Sequence, residues 1–569
     1  MPAEPQPSPS VKHRLLEGGA LLALAAFALW LLLGELGAAS FHDGDEALYA
    51  AVAREMAESG DLLTPTYWGE PLLNKPPLVY WMMAGSLSWL PGNFELLARL
   101  PSALAALVLV ALVYGTARRL AGPLAAVGAA LLLLGNHQLV FEHGARTASL
   151  DSVLVTTMFA ALVLGLRADV KPWRLWASGL CTALVMMIKL PLVVFLVPTL
   201  AVHLWRADRG AARRWGLGFL AGFLVVVLPW HAYAWITHGQ SFWKIYFELE
   251  ILGRTGKAAL DPNASWASGL FACWRSFMPW GPLLGVAWSS ALLGWPRGEE
   301  SRDLRLLAVF AGFVLALFCF VESKWPWYGM PAYPALAVVG AVFLRRLAGS
   351  PAGLAAPLLV ALPLALRFVA IEVSEVYAPA VRQAQLWPAV DPLYLWSWAG
   401  GDALRWSGAA LVVVLALVVL ARPLRRRAVP LAMTLAAGGL AWTAITVARV
   451  PRAFTSPTHA LVDELAERGV EHLSTLGFWT SGAYRGRQVS LTSVYFLSIP
   501  GADVIDCRGD FACPFEESGG RAALIVNSAS LQPEGRRRLR RRLESAATPP
   551  EIWILDPAPQ GRFARFGVD

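Results

Sequence analysis

Apolar runs long enough to carry a helix across a hydrocarbon core, about 20 residues each, recur from residue 15 to about residue 447 and then stop. They predict about thirteen spans, near 15–38, 98–117, 121–139, 150–167, 175–188, 190–205, 216–237, 266–295, 305–321, 327–344, 353–372, 405–421 and 428–448. The first span follows a short arm, residues 1–14, that ends in Lys12, His13 and Arg14. It is too long for the apolar core of a cleaved signal, so it reads as a retained anchor. Beyond Arg449 the pattern changes. A helical signal at 459–467 and strand-like runs at 473–479, 522–527 and 551–555 predict a small α/β domain over 449–569. The fold class is a mainly α polytopic membrane protein with a soluble α/β C-terminal domain.

Composition agrees: 56% of residues are hydrophobic and 15% charged, far from a soluble average. The net charge of +8 raises the question of nucleic acid, but the basic residues sit in short loops between spans, where they set topology instead. Lys12 and Arg14, Arg118 and Arg119, and the clusters at 167–174, 206–214, 297–305, 345–346 and 422–427 all fall on one side if the number of crossings is odd. The other, outer side then receives the loop 39–97, the neighbourhoods of Arg146 and Lys189, 238–265, 322–325, 373–404 and the tail. Cys181, Cys273 and Cys319 lie inside apolar runs and read as small core residues. Cys507 and Cys513 are candidates for a disulfide if the tail is extracytoplasmic.

The outer segments hold the unusual polar residues. His42-Asp43-Gly44-Asp45-Glu46-Ala47-Leu48-Tyr49 follows the first span directly. Asp45 is placed to cap an amphipathic helix through Ala50, Ala53, Met56 and Ala57 that would lie along the interface, and a helix cap with solvated acids is the bland alternative to chemistry. Asn74-Lys75-Pro76-Pro77 holds a lysine on a stiff turn at headgroup depth, suited to a phosphate or to ordinary snorkelling. Asp151 opens the fourth span, where an acid is costly unless it faces a cavity, a partner or a helix N-terminus. Lys189 interrupts an apolar stretch as a charged turn. Arg254 offers the fork that suits a phosphate, and Lys324 and Tyr328 add a point charge and a hydroxyl.

The order of these motifs resembles the ArnT-like and protein mannosyltransferase superfamily of GT-C membrane glycosyltransferases, most closely its bacterial aminoarabinose transferase branch. The resemblance runs through Asp45 to Ala50, Arg54-Glu55-Met56, Ser59-Gly60-Asp61, Lys75-Pro76, Leu150-Asp151, Lys189, Arg254 and Lys324 to Tyr328. It implies a GT-C fold with an extracytoplasmic, periplasmic active site in a bacterial inner membrane. It implies a polyprenyl-phosphate (undecaprenyl-phosphate) sugar donor and a lipid, glycan or protein acceptor. By the same resemblance Asp45 is the catalytic acid residue of the first external loop and Asp151 a second catalytic acid. Lys75, Arg254 and Tyr328 bind the donor phosphate, and Glu46, Tyr49, Lys189 and Lys324 are substrate-binding candidates. The sequence departs from that branch at Leu48, Asn74 and Ile251, where the branch carries Arg, Glu and His. The latter two changes remove metal ligands, which argues against a bound zinc or other divalent metal, and no other cofactor is implied.

Such a site implies one-step displacement at the anomeric carbon with inversion, Asp45 acting as general base and fixed cations stabilising the leaving phosphate. Two other readings compete. A lipid or glycolipid transporter or flippase calls for charges near the midplane and internal repeats, and a surface-polysaccharide ligase shares the lipid donor. A non-catalytic scaffold leaves Asp45, Lys75 and Asp151 at one depth unexplained.

Overall fold

The computed structural model describes residues 11–37, 45–67, 69–141, 143–166, 171–253, 280–294, 300–320 and 326–347, five strands between 472 and 565, and a few isolated positions. Outside the described residues lie the spans expected at 353–372, 405–421 and 428–448 and most of the first part of the span at 266–295. So do Arg254, Lys324, Cys507, Cys513, nearly all of the helical signal at 459–467 and the loop 373–404.

The first span is α1 (Val11–Leu33). Glu17 near its start pairs with Arg118, while the Leu31 and Glu35 carbonyls near its end accept from Arg146 at 2.7 and 3.5 Å. A helix running from Glu17 to Leu31 rises about 21 Å. The helical body therefore has an Arg118 end and an Arg146 end.

The second and third spans form two limbs of one element, α4 (Phe94–Leu134), broken at Ala121 and Gly122. Gly122 takes φ +84°, which only glycine adopts without a steric penalty. The first limb starts at the Arg146 end, where Arg99 donates to the Leu36 carbonyl at 3.0 Å, and reaches Arg118; the second limb returns.

After α5 (His137–Phe141) come α6 (Asp151–Leu164) and α7 (Pro172–Lys189), a one-turn 3-10 helix Leu190–Leu192, and α8 (Val193–Ala207). Gly165 lies against Ser178 and Leu200 at once, so α8 doubles back beside α7 from Lys189. Hydroxyls fasten α6 to α4: Ser152 donates to the Ser102 carbonyl at 2.7 Å and Thr156 to that of Ala105 at 2.9 Å. Interhelical hydrogen bonds of this kind substitute for the hydrophobic drive that lipid does not supply.

Small residues do the same for α9 (Arg209–Gly222). A Cβ at Gly179 would strike the Trp215 carbonyl and one at Gly218 that of Trp176, so α7 and α9 approach backbone to backbone. The chain then continues through a π turn, Phe223–Val227, into α10 (Leu228–Phe242) and a π-helical segment, Trp243–Leu252. The remaining described helices are α11 (Gly281–Leu292), α12 (Glu300–Phe320) and, after a 3-10 turn Pro326–Ala332, α13 (Tyr333–Leu347). The Tyr333 hydroxyl donates to Gln138, and Asn136 donates to Ser276 at 3.0 Å.

The segment 39–97, expected on the outer side, is more structured than its polarity implies. Helix α2 (Asp45–Ser59) is followed by a hairpin, β1 (Thr66–Tyr67) with β2 (Glu70–Pro71), and by α3 (Leu78–Trp89). The amphipathic helix expected to lie along the interface is instead built into the protein, with Ala50, Ala51, Val52, Ala53 and Met56 fully buried. Its small side chains let α3 and α4 close over it. Helix α3, 12 residues long, is too short to cross a bilayer and was not expected as an element.

Downstream, β3 (His472–Leu476), β4 (Asp503–Asp506), β5 (Ala522–Asn527), β6 (Glu551–Leu555) and β7 (Phe563–Arg565) form one sheet ordered β4-β3-β5-β6-β7. The first four are parallel, with His472 opposite Asp503 and Ala522, and β7 joins antiparallel. Parallel neighbours need crossover connections. The strands expected at 522–527 and 551–555 are found there, and the one expected at 473–479 ends at Leu476.

Candidate active site

Three stretches of chain meet at the Arg146 end. The first is the start of α2. Glu46 is 5% exposed and Arg99 3%, and Arg99 Nε donates to Glu46 Oε1 at 2.8 Å. The same oxygen accepts the Ala148 amide at 2.9 Å, and Arg99 lies 5.1 Å over the Phe41 ring. A desolvated pair keeps its shape only when its remaining hydrogen bonds are made, as they are here. The clasp fixes α2 against α4 and against the loop before α6. It thereby sets the place of Asp45, the first residue of α2 and half-buried. Glu46 thus has internal partners.

The second stretch is the first turn of α6. Leu150 caps that helix without a side-chain bond, and the Asp151 carboxylate turns away to accept Lys189 Nζ at 2.5 Å. The pair joins the start of α6 to the end of α7, so the charged turn expected at Lys189 points into the protein. His143 Nδ1 stands 3.7 Å from Asp151 Oδ2. The His143 ring stacks on Trp327, with centroids 3.8 Å apart and planes 16° apart. Trp327 precedes Tyr328, which is half-buried against Phe318. Lys189 is close enough to feel both Asp45 and Tyr328.

The third stretch carries Lys75. The Pro76-Pro77 turn precedes α3, and Lys75 is only 6% exposed, which rules out snorkelling into water. Its ammonium pairs with Glu250 on the π-helical segment. Asn74 beside it is 7% exposed, and its Oδ1 has no hydrogen-bond partner. Ile251 packs into the apolar cluster that contains Leu73. One neutral and one apolar side chain thus flank the ion pair.

Tyr49 binds these stretches into one site. It is buried, and its ring lies 5.8 Å from that of Tyr80. Burial pushes its phenol well above the ordinary value, and the negative charges of Asp45, Asp151 and Glu250 push it further. Three acids far apart in sequence therefore bear on one hydroxyl, which stays protonated and remains a hydrogen-bond donor.

The structure brings Asp45, Glu46, Tyr49, Asp151, Lys189 and Tyr328 together, with Lys75 linked through Glu250; Arg254 and Lys324 lie outside the described residues. Arg99, His143, Trp327 and Glu250 were not identified as site residues in the sequence. Arg99 carried a signal, an arginine at the mouth of an apolar span. His143 carried none. Chemically the site offers acids able to take a proton and cations able to hold an oxyanion, on the surface where the spans end.

The pattern described as dolichyl-phosphate-mannose-protein mannosyltransferase matches residues 74–233. An uncharacterized protein of Aquifex aeolicus is 31% identical over 309 residues, 53% of this chain and 59% of that one. The undecaprenyl phosphate-alpha-4-amino-4-deoxy-L-arabinose arabinosyl transferase of Edwardsiella ictaluri is 32% identical over 321 residues, 54% of this chain and 56% of its own. The aligned region thus spans little more than half of each relative. In fold, the chain is similar to the crystal structure of ArnT from Cupriavidus metallidurans bound to undecaprenyl phosphate, with a TM-score of 0.63 at 22% identity over 86% of this chain and 90% of that one.

Proposed function

We propose that the chain is a member of the ArnT-like and protein mannosyltransferase superfamily of GT-C membrane glycosyltransferases, and that it transfers a sugar from a polyprenyl-phosphate donor to a lipid, glycan or protein acceptor. The observation that carries this reading is the convergence on Tyr49 of Asp45, Asp151 and Glu250, with Lys75 and Lys189 paired to the last two. A transporter gains nothing from such a set at the end of its spans. A transferase needs an acid for the acceptor and cations for the leaving phosphate.

In the reaction, an acceptor hydroxyl or phosphate oxygen attacks the anomeric carbon and its proton passes to Asp45. The bond from that carbon to the phosphate oxygen breaks, and the polyprenyl phosphate leaves with the electron pair. Lys75, Arg254 and Tyr328 receive the growing charge, in a dry site where fixed charges act strongly. Attack opposite the leaving group inverts the anomeric centre. Asp151, held by Lys189, shapes the sugar side. We place this chemistry on the periplasmic face of the inner membrane. With Leu48, Asn74 and Ile251 at their positions, neither the aminoarabinose donor nor a lipid A acceptor follows from the relatives' names.

Asp45→Asn tests the assignment. Removing a general base costs about 10²–10⁴-fold in rate, so transfer from a defined polyprenyl-phosphate sugar, followed by mass spectrometry of the product, should fall to background while the protein stays inserted and folded. Full activity in that variant sinks the proposal.

A further inference from the structure

His143 has no part in the chemistry just described, yet its backbone is strained to hold it in place. It is not glycine and takes φ +55°, a left-handed conformation that carries strain and persists only where its surroundings over-determine it. They do: a Cβ on the next residue, Gly144, would strike the Leu139 carbonyl, and Ser149 donates to the His143 carbonyl at 2.6 Å. The ring so placed has two distinct neighbours. Its face lies on Trp327, and its Nδ1 edge points at Asp151 Oδ2 across 3.7 Å. That separation is just beyond a hydrogen bond. Hydrogen bonds that serve a transfer step often reach full strength only in the substrate complex. The Nδ1 atom is buried and makes no hydrogen bond, a cost that a phenylalanine filling the same space would not incur.

We propose that His143 is a positioning residue that holds the Trp327–Tyr328 turn in register with the Asp151–Lys189 pair, its face serving donor affinity and its Nδ1 edge serving the transfer step. The inference rests on the proposed reading, its first half on the polyprenyl-phosphate donor and its second half on the transfer step. The first half is a statement about binding of a polyprenyl phosphate.

Two variants separate the halves. His143→Phe keeps a ring for Trp327 and loses the polar edge; His143→Asn keeps an amide facing Asp151 and loses the stack. The full chain in lipid nanodiscs is titrated with undecaprenyl phosphate, and single-turnover transfer is followed under donor saturation. Expected for His143→Phe is a Kd within about twofold of the wild type and a transfer rate constant lowered about tenfold or more. Expected for His143→Asn is a Kd raised about tenfold with a smaller change in the saturated rate. Trp327→Ala should weaken binding as His143→Asn does, which keeps the affinity half decidable if one histidine variant fails to fold.

Parallel loss of affinity and rate in both histidine variants marks a merely structural residue and overturns the proposal, as does no change in either. If the wild type transfers no sugar from any polyprenyl-phosphate donor, the transferase reading fails with the rate half. The titrations then still support or overturn the affinity half.

Discussion

The two ends of the helical body use the same chemical pairings for opposite purposes. At the Arg118 end, Arg118 pairs with Glu17 and Arg119 with Asp303 at 2.8 Å, and Arg214 meets Asp208 at 3.3 Å. The arginines there are 34–55% exposed. At the Arg146 end, Arg99 with Glu46, Lys75 with Glu250 and Lys189 with Asp151 all keep their side chains at 17% exposure or less. Exposed pairs between long side chains contribute little. A buried pair becomes expensive once one partner is lost, because the other charge is left without water. The difference teaches that the first end carries charge to orient helices, and the second to hold groups in place.

Breaking a pair at each end sharpens this contrast. The largest effect is expected for Lys189→Met, which leaves Asp151 buried without its ammonium and should cost about 3–5 kcal/mol, read as a lowered unfolding midpoint in detergent. Adding Asp151→Asn to it should recover most of that stability and none of the transfer, since the acid itself is gone. An intermediate effect is expected for Asn93→Ala, also at the Arg146 end. Asn93 caps α4 by accepting the Leu96 amide at 3.0 Å and donates to the Gly37 carbonyl at 2.8 Å, and loss of such a cap costs about 1 kcal/mol. The smallest is expected for Arg118→Ala, under about 1 kcal/mol and shrinking further as salt is raised. A loss at Arg118 as large as that at Lys189 would erase the distinction between the ends.

The same contrast explains what could be read in advance. The limbs of α4, the hairpin of α7 and α8 about Lys189, and the strand runs at 522–527 and 551–555 follow from runs of apolar residues and the breaks between them. Those signals are local. The pairings of Glu46 with Arg99, Lys75 with Glu250 and Asp151 with Lys189 join residues 53, 175 and 38 positions apart, so no window along the chain contains them. Asp45, Lys75, Asp151, Lys189 and Tyr328 were legible as candidates because polar groups at membrane depth are rare. Their partners were not, because a buried partner shows no pattern of its own. Helix α3 escaped notice through length, and the π-helical segment before Gly253 through its hydrogen bonding, since over ten residues a wider turn shifts the helical period too little to be told from an α-helix.

The pairing of Lys75 with Glu250 sets a threshold for whatever anion arrives there. An anion can take the ammonium only in molecules where the carboxylate has let go, so its apparent affinity is the intrinsic one scaled by that fraction. If the pair is open in about one molecule in a hundred, binding weakens about a hundredfold. On the proposed reading of Lys75 as a donor-phosphate ligand, a free phosphate ion, with nothing else to hold it, would then be turned away at concentrations where a lipid-borne phosphate anchored along its chain would not. Competition within the resting protein would thus filter anions by what else they can touch.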